Sequence, residues 1–153
     1  MRIIIENKIF VKLYMNIVKV NDLAFGATME QKAQPTLEHI FGKLINNNDK
    51  NKYHPIDFKN KDYGVEYKRR RIKFGLHPTA MLNISKIHKG IKYKNLGRRV
   101  IYVWEYEDDW YYWELSDDYI KGTGGTNRRG KDEFVDVAHI KNQYINKLST
   151  LVL

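Results

Sequence analysis

From Val65 to Lys68 apolar and charged residues alternate, Val65 and Tyr67 against Glu66 and Lys68. A period of two is that of a strand with one buried face. Successive strand side chains point to opposite sides, so Glu66 and Lys68 share a face with Val65 and Tyr67 packed behind them. A shorter run, Ile56-Asp57-Phe58, precedes it across the polar turn Lys59-Asn60-Lys61-Asp62. Read as a hairpin, the two strands bring Asp57 to Glu66 and Lys68. Upstream, Thr28-Met29-Glu30-Gln31 has the spacing of a capping box. Ala33, Leu37, Ile40, Phe41 and Leu44 then recur at helical intervals and predict an amphipathic helix. Pro35 either kinks this helix or stands in its first turn. The polar residues Asn46 to Lys52 form a loop that ends it.

Downstream, Leu82 to Lys89 reads as a short helix with Gly90 as its C-cap. Arg99 to Tyr106 and Trp110 to Leu115 read as two strands joined around Asp108-Asp109. Phe134 to Val137 is a candidate last strand. Ile140, Tyr144, Ile145 and Leu148 predict a closing helix over Ala138 to Leu148. Residues 1–25 fit strand and helix equally and are taken as an N-terminal extension. Residues 26–153 form a single domain, as a chain of 153 residues suggests.

Two carboxylates and a lysine on one hairpin are a hard-cation site with an ammonium group beside it. Carboxylate oxygens suit Mg²⁺ or Mn²⁺, which retain waters and accept phosphate oxygens. Such an ion polarises a phosphoryl oxygen and acidifies water, and the lysine can stabilise charge developing on phosphorus. Acidic residues are common, however, and the spacing also arises by chance. The upstream helix offers a third acid. Glu30 lies on the apolar stripe, and Glu38 lies roughly eighty degrees away at 3.6 residues per turn. A carboxylate on a buried stripe is costly unless paired or bound to metal, which favours Glu30 over Glu38.

Charge widens the picture. The chain has 27 Lys and Arg against 18 Asp and Glu, a formal charge of +9, which suits a polyanionic partner or simply a solvated basic surface. In Lys68-Arg69-Arg70-Arg71-Ile72-Lys73, Arg70 and Lys73 are candidates for phosphate contact, against a solvated edge or an import signal. Gly125 to Lys131 approaches a phosphate-binding P-loop, but Asp132 stands where Ser or Thr would ligate Mg²⁺. A basic loop of Gly122, Gly124, Gly125, Arg128, Arg129 and Lys131 near nucleic acid, or a plain flexible loop, fits better. The five histidines lack metal spacing, and His54 reads as a residue of the site edge or surface. With no cysteine, disulfides and thiolate zinc sites are excluded, and an intracellular compartment fits. No apolar stretch approaches the roughly 18 residues of a membrane span. The aromatics from Trp104 to Trp113 suit a hairpin core better than a stacking platform for single strands.

The order Asp57…Glu66-Tyr67-Lys68, with Pro55 two residues before Asp57, resembles the PD-(D/E)XK nuclease superfamily. It is nearest in look to small nuclease-like proteins of large DNA viruses. The resemblance runs from about Gly26 to Ile145, through the helix bearing Glu30, the arginines after Lys68, His77 to Met81 and the aromatic hairpin. It departs from the pattern in Tyr67, where an aliphatic is usual, and in Ile56 between Pro55 and Asp57. The resemblance implies an α/β fold with a central mixed sheet flanked by helices, in restriction-endonuclease-like arrangement. It also implies Mg²⁺- or Mn²⁺-dependent hydrolysis of DNA. Asp57, Glu66 and Glu30 would hold the metal and Lys68 would assist the attack. A Holliday-junction or branched-DNA resolvase and a non-catalytic nucleic-acid-binding module on the same fold are the alternatives. A viral chain of this kind would work in the host cytoplasm or nucleus. Cutting both strands of a duplex takes either two sequential nicks by a monomer or a homodimer, the latter formed through one face of the aromatic hairpin.

Overall fold

The computed structural model describes residue 25 and residues 28–49, 54–124 and 135–153. The predicted amphipathic helix is α1, residues 28–41, and Ala33, Leu37 and Phe41 are its buried stripe. Pro35 lies inside α1 and does not begin it. The helix stops at Gly42, which adopts a left-handed φ of 82° and donates its N–H to the Glu38 carbonyl at 2.9 Å, a turn that only glycine enters without strain. The Glu38 carboxylate caps this end by accepting the Leu44 N–H at 2.9 Å.

The chain then builds β1 (Ile45–Asn46), a single 3₁₀ turn over Asn47–Asp49, β2 (Phe58–Lys59) and β3 (Tyr63–Arg69). The stretch expected to be a plain polar loop thus contains a short strand and a turn. Next come β4 (Thr79–Asn83) and α2 (Ile84–Asn95). The hairpin β5 (Arg99–Glu105) and β6 (Trp110–Glu114) follows, then β7 (Ile120–Gly124), β8 (Val135–Lys141) and β9 (Asn146–Lys147). The main sheet has the order β1-β2-β3-β5-β6-β9 and is mixed, because β3 and β5 run parallel while its other pairs are antiparallel. A second, antiparallel sheet has the order β4-β8-β7. The described residues are therefore α/β, with a mixed sheet and two α-helices. No helix among the described residues is long and apolar enough to cross a membrane.

The main sheet divides two cores. On one face Phe58, Val65, Tyr67, Ile101 and Val103 pack against the stripe of α1. On the other, Val100, Tyr102, Trp104, Tyr111 and Trp113 pack with Ile87 and Tyr93 of α2 and with Ala80, Leu82, Ala138 and Ile140 of the second sheet. The alternation at Val65–Lys68 is thus satisfied as read, with Val65 and Tyr67 toward α1. The aromatic hairpin is core on both sides. Tyr111, Trp113 and Leu115 are buried in one cluster, while Trp110 and Tyr112 are half-buried against the other.

Three element assignments are corrected. The helix expected to end at Gly90 begins at Ile84, after a strand, and runs to Asn95. Gly90 lies in its buried interior, where a Cβ would collide with the Tyr102 hydroxyl and crowd Leu115 and Val100. Its glycine is needed for close approach, and the left-handed turn falls at Gly97 (φ 92°). The predicted closing helix over Ala138–Leu148 is instead β8, one 3₁₀ turn and β9. Ile140 and Leu148 do point inward, but Ala138 and Ile140 do so with strand alternation, both pairing with β4 and Ala138 also with β7. Gly122 and Gly124, expected in a loop, belong to β7 and lie beneath His139, Met81 and Val137. The N-terminal extension, apart from Phe25, and the run Gly125 to Lys131 with Arg128, Arg129 and Lys131 lie outside the described residues.

Candidate functional site

β2 and β3 pair at Phe58↔Val65 and Lys59↔Gly64 and no further. One residue beyond, the side chain of Asp57 replaces the backbone in the ladder. Its Oδ2 accepts the Tyr67 N–H at 2.9 Å, and its own N–H donates to Glu66 Oε2 at 3.1 Å. Both carboxylates are held by main-chain donors at the point where the strands part, and each residue is only 4% exposed. Carboxylates are rarely buried so deeply unless they are paired or bind a cation.

The third acid arrives from the opposite layer. The Asn47 N–H donates to the Asp57 carbonyl at 2.8 Å, which lays the turn after β1 along Asp57. From that turn Asn48 Nδ2 donates to Asp57 Oδ1 at 2.8 Å and to Glu30 Oε2 at 3.1 Å. One amide thus bridges a carboxylate of α1 and one at the start of β2. The other end of the amide, Asn48 Oδ1, is buried and has no hydrogen-bond partner among the described residues. Glu38 is occupied at the end of α1, so the helix acid at this site is Glu30.

A cation closes the arrangement from above. On β3, Gly64 and Glu66 face α2, and a Cβ at position 64 would run into the Tyr93 ring. That contact seats α2 close enough for Lys86, in its first turn, to form an ion pair with Glu66 Oε1. Lys86 Nζ also donates to the Pro55 carbonyl at 3.3 Å, and its own carbonyl accepts the Tyr102 hydroxyl at 2.8 Å. Lys68, expected to stand beside the acids, is exposed and forms no ion pair with a described residue.

Burial, then the charge of Asp57, pushes the Glu66 carboxyl well above its ordinary range. Burial and Asp57 likewise push Glu30 up to about 7. Burial pulls Lys86 down, but Glu66 and Asp57 outweigh it and the net shift is upward. Burial is the larger cause at both carboxyls and Asp57 adds to it, while the carboxylates around Lys86 raise its ammonium. Lys68 is lowered by burial of its ammonium and then by the charges of Lys86 and Arg70.

The donors fit a hard divalent ion in kind: carboxylates, with the unpartnered Asn48 Oδ1 adjoining. Mg²⁺ needs only one or two carboxylates and completes its shell with water. In placement, Lys86 takes one oxygen of Glu66 and the Asn48 amide spans Asp57 and Glu30. Among the described residues no three of His, Asp and Glu are gathered to hold an ion as they stand.

Of the other residues singled out by sequence, Arg70 lies just past β3, with its N–H on the Glu105 carbonyl at 2.8 Å. Lys73 is exposed in the following turn. His54 sits at the edge, its Nδ1 2.7 Å from the Ile56 carbonyl oxygen, and burial lowers its pKa. Sequence reasoning missed Lys86 and Asn48. Lys86 had no signal in sequence, because the helix was read from Leu82 and only its start at Ile84 puts Lys86 in the first turn. Asn48 had none within its run of asparagines.

Comparison of the chain with protein-family models, with curated proteins and with solved structures finds no match.

Glu30 leads to a prediction on pH. A carboxyl with an ordinary value of 4.5 when unfolded and about 7 when folded binds more protons in the fold. Its ionisation therefore opposes folding, and the metal-free protein loses stability as pH rises across that interval. Glu66 acts in the same direction. Thermal melts at pH 5 and pH 7.5 without divalent ions should show the lower midpoint at pH 7.5, with a smaller difference for Glu30→Gln. An unchanged difference in that variant would remove Glu30 as a source.

Proposed function

We propose that the protein is a divalent-metal-dependent phosphodiesterase that cuts DNA, on a restriction-endonuclease-like fold. The observation that carries this reading is the carboxylate of Asp57, buried where β2 parts from β3 and adjoining Glu30 on one side and Glu66 on the other. Asp57 and Glu66 would hold Mg²⁺ or Mn²⁺, with Glu30 joining directly or through water. Bound there, the ion supplies Lewis-acid polarisation of a phosphoryl oxygen and lowers the pKa of water. Lys68, exposed on the same face of β3, is placed to meet the charge that develops on the phosphate. Arg70 and Lys73 continue the basic edge, where neutralising phosphates adds affinity without sequence preference.

The test is incubation with supercoiled, linear, branched and single-stranded DNA, with Mg²⁺ and with chelator. Cleavage that appears with the ion and vanishes with the chelator is expected. A product confined to branched DNA would make the enzyme a resolvase. DNA binding without cleavage under any condition would reduce it to a binding module.

A further inference from the structure

We infer that Lys86 is the resident cation of this site, occupying in the metal-free protein the charge position that a divalent ion takes over from it. The inference rests on the metal-dependent reading and adds a positioning residue that the resemblance does not supply. Glu66 is buried with its two oxygens assigned, Oε2 to the Asp57 N–H and Oε1 to Lys86. A doubly charged ion inserted beside Asp57 and Glu66 would stand close to the ammonium on Oε1, and like charges repel strongly at that range, which favours release of Oε1 by Lys86.

The surroundings permit that exchange. The backbone of Lys86 is fixed, its carbonyl tied to the buried Tyr102 hydroxyl and the helix pressed down at Gly90. Its side chain is a flexible four-carbon stem, still partly exposed, with a second acceptor in the Pro55 carbonyl at 3.3 Å. Lys86 can thus release Glu66 and keep a hydrogen bond without movement of α2. The two lysines of the site differ in role. Lys86 serves the empty carboxylates from inside, while Lys68 remains on the solvent side for phosphate.

The direction of the effect separates this role from a structural one. Removing a merely structural lysine loosens the carboxylates and weakens metal binding. Removing a competing cation tightens it. Calorimetric titration of Mn²⁺ into Lys86→Met should give a dissociation constant roughly tenfold lower than that of the parent. Lys86→Arg, which retains the charge, should stay near the parent. If Lys86→Met does not fold without metal, because Glu66 is left buried without a counter-ion, Mn²⁺ should restore its cooperative melt. Equal or weaker Mn²⁺ binding by a folded Lys86→Met, or failure of Mn²⁺ to restore an unfolded one, overturns the inference and leaves the metal-dependent reading standing. Absence of Mn²⁺ binding in parent and variant alike overturns both.

Discussion

Asp57→Ala should abolish DNA cleavage while the protein remains folded. The carboxylate is the junction of the site, taking the Tyr67 N–H on one oxygen and the Asn48 amide on the other, with Glu30 and Glu66 to either side. A divalent ion contributes several kcal/mol of charge stabilisation to phosphoryl transfer, and each 1.36 kcal/mol is tenfold in rate. Loss of a principal ligand then lowers the rate on the order of a thousandfold. The variant also relieves repulsion among clustered acids, which offsets the lost hydrogen bonds. Plasmid cleavage in Mg²⁺, with circular dichroism as the control for folding, measures this. A folded Asp57→Ala protein that cuts as fast as the parent sinks the assignment.

The second large effect is on stability. Trp104 is 2% exposed in the centre of β5, between β3 and β6, and belongs to the core beneath α2 and the second sheet. It pairs in register with Lys68, so it also forms part of the floor on which the site stands. Truncating a buried tryptophan to alanine costs about 3–5 kcal/mol through lost transfer energy and an unfilled cavity. Against the roughly 5–15 kcal/mol that holds a domain together, that is a large fraction. Urea unfolding of Trp104→Ala should show a midpoint shifted strongly downward with little change in slope. A shift equivalent to less than 1 kcal/mol would contradict the core position.

The features legible in the sequence are those carried by short-range pattern. Val65 and Tyr67 alternate with Glu66 and Lys68, and the structure makes that stretch a strand. Ala33, Leu37 and Phe41 repeat every four residues, and they line a helix. Of the three acids picked out, Asp57 is linked to Glu30 through the Asn48 amide and to Glu66 through its own N–H, though the three do not group as a ready ion site. What pattern could not reveal depends on partners distant in the chain. Ile140, Tyr144 and Leu148 carry a helical interval, yet pairing with β4 and β7 makes the region β-structure, because those strands leave hydrogen-bonding groups that only another strand satisfies. Gly90 resembles a helix stop in sequence. Its reason is the Tyr102 hydroxyl, twelve positions away by number and adjacent only after folding. Lys86 and Asn48 enter the site through α2 and the turn after β1, whose placement follows from the packing of Tyr93 over Gly64 and of β1 on β2.

The parallel pairing of β3 with β5 has a consequence for how the molecule matures. Parallel neighbours cannot be joined by a tight turn, and here β4 and α2 lie between them. Loop closure on that scale must be met before the contacts reward it, which makes such topologies slow to form. A chain still emerging from the ribosome can hold Asp57 and Glu66 on their local hairpin. It lacks Lys86 over Glu66 until α2 has docked, and α2 docks on Val100 and Tyr102 of β5. The ion pair over Glu66 is therefore completed late, as a property of the nearly finished domain, and translation intermediates that stop short of β5 carry the acids without Lys86 docked over them.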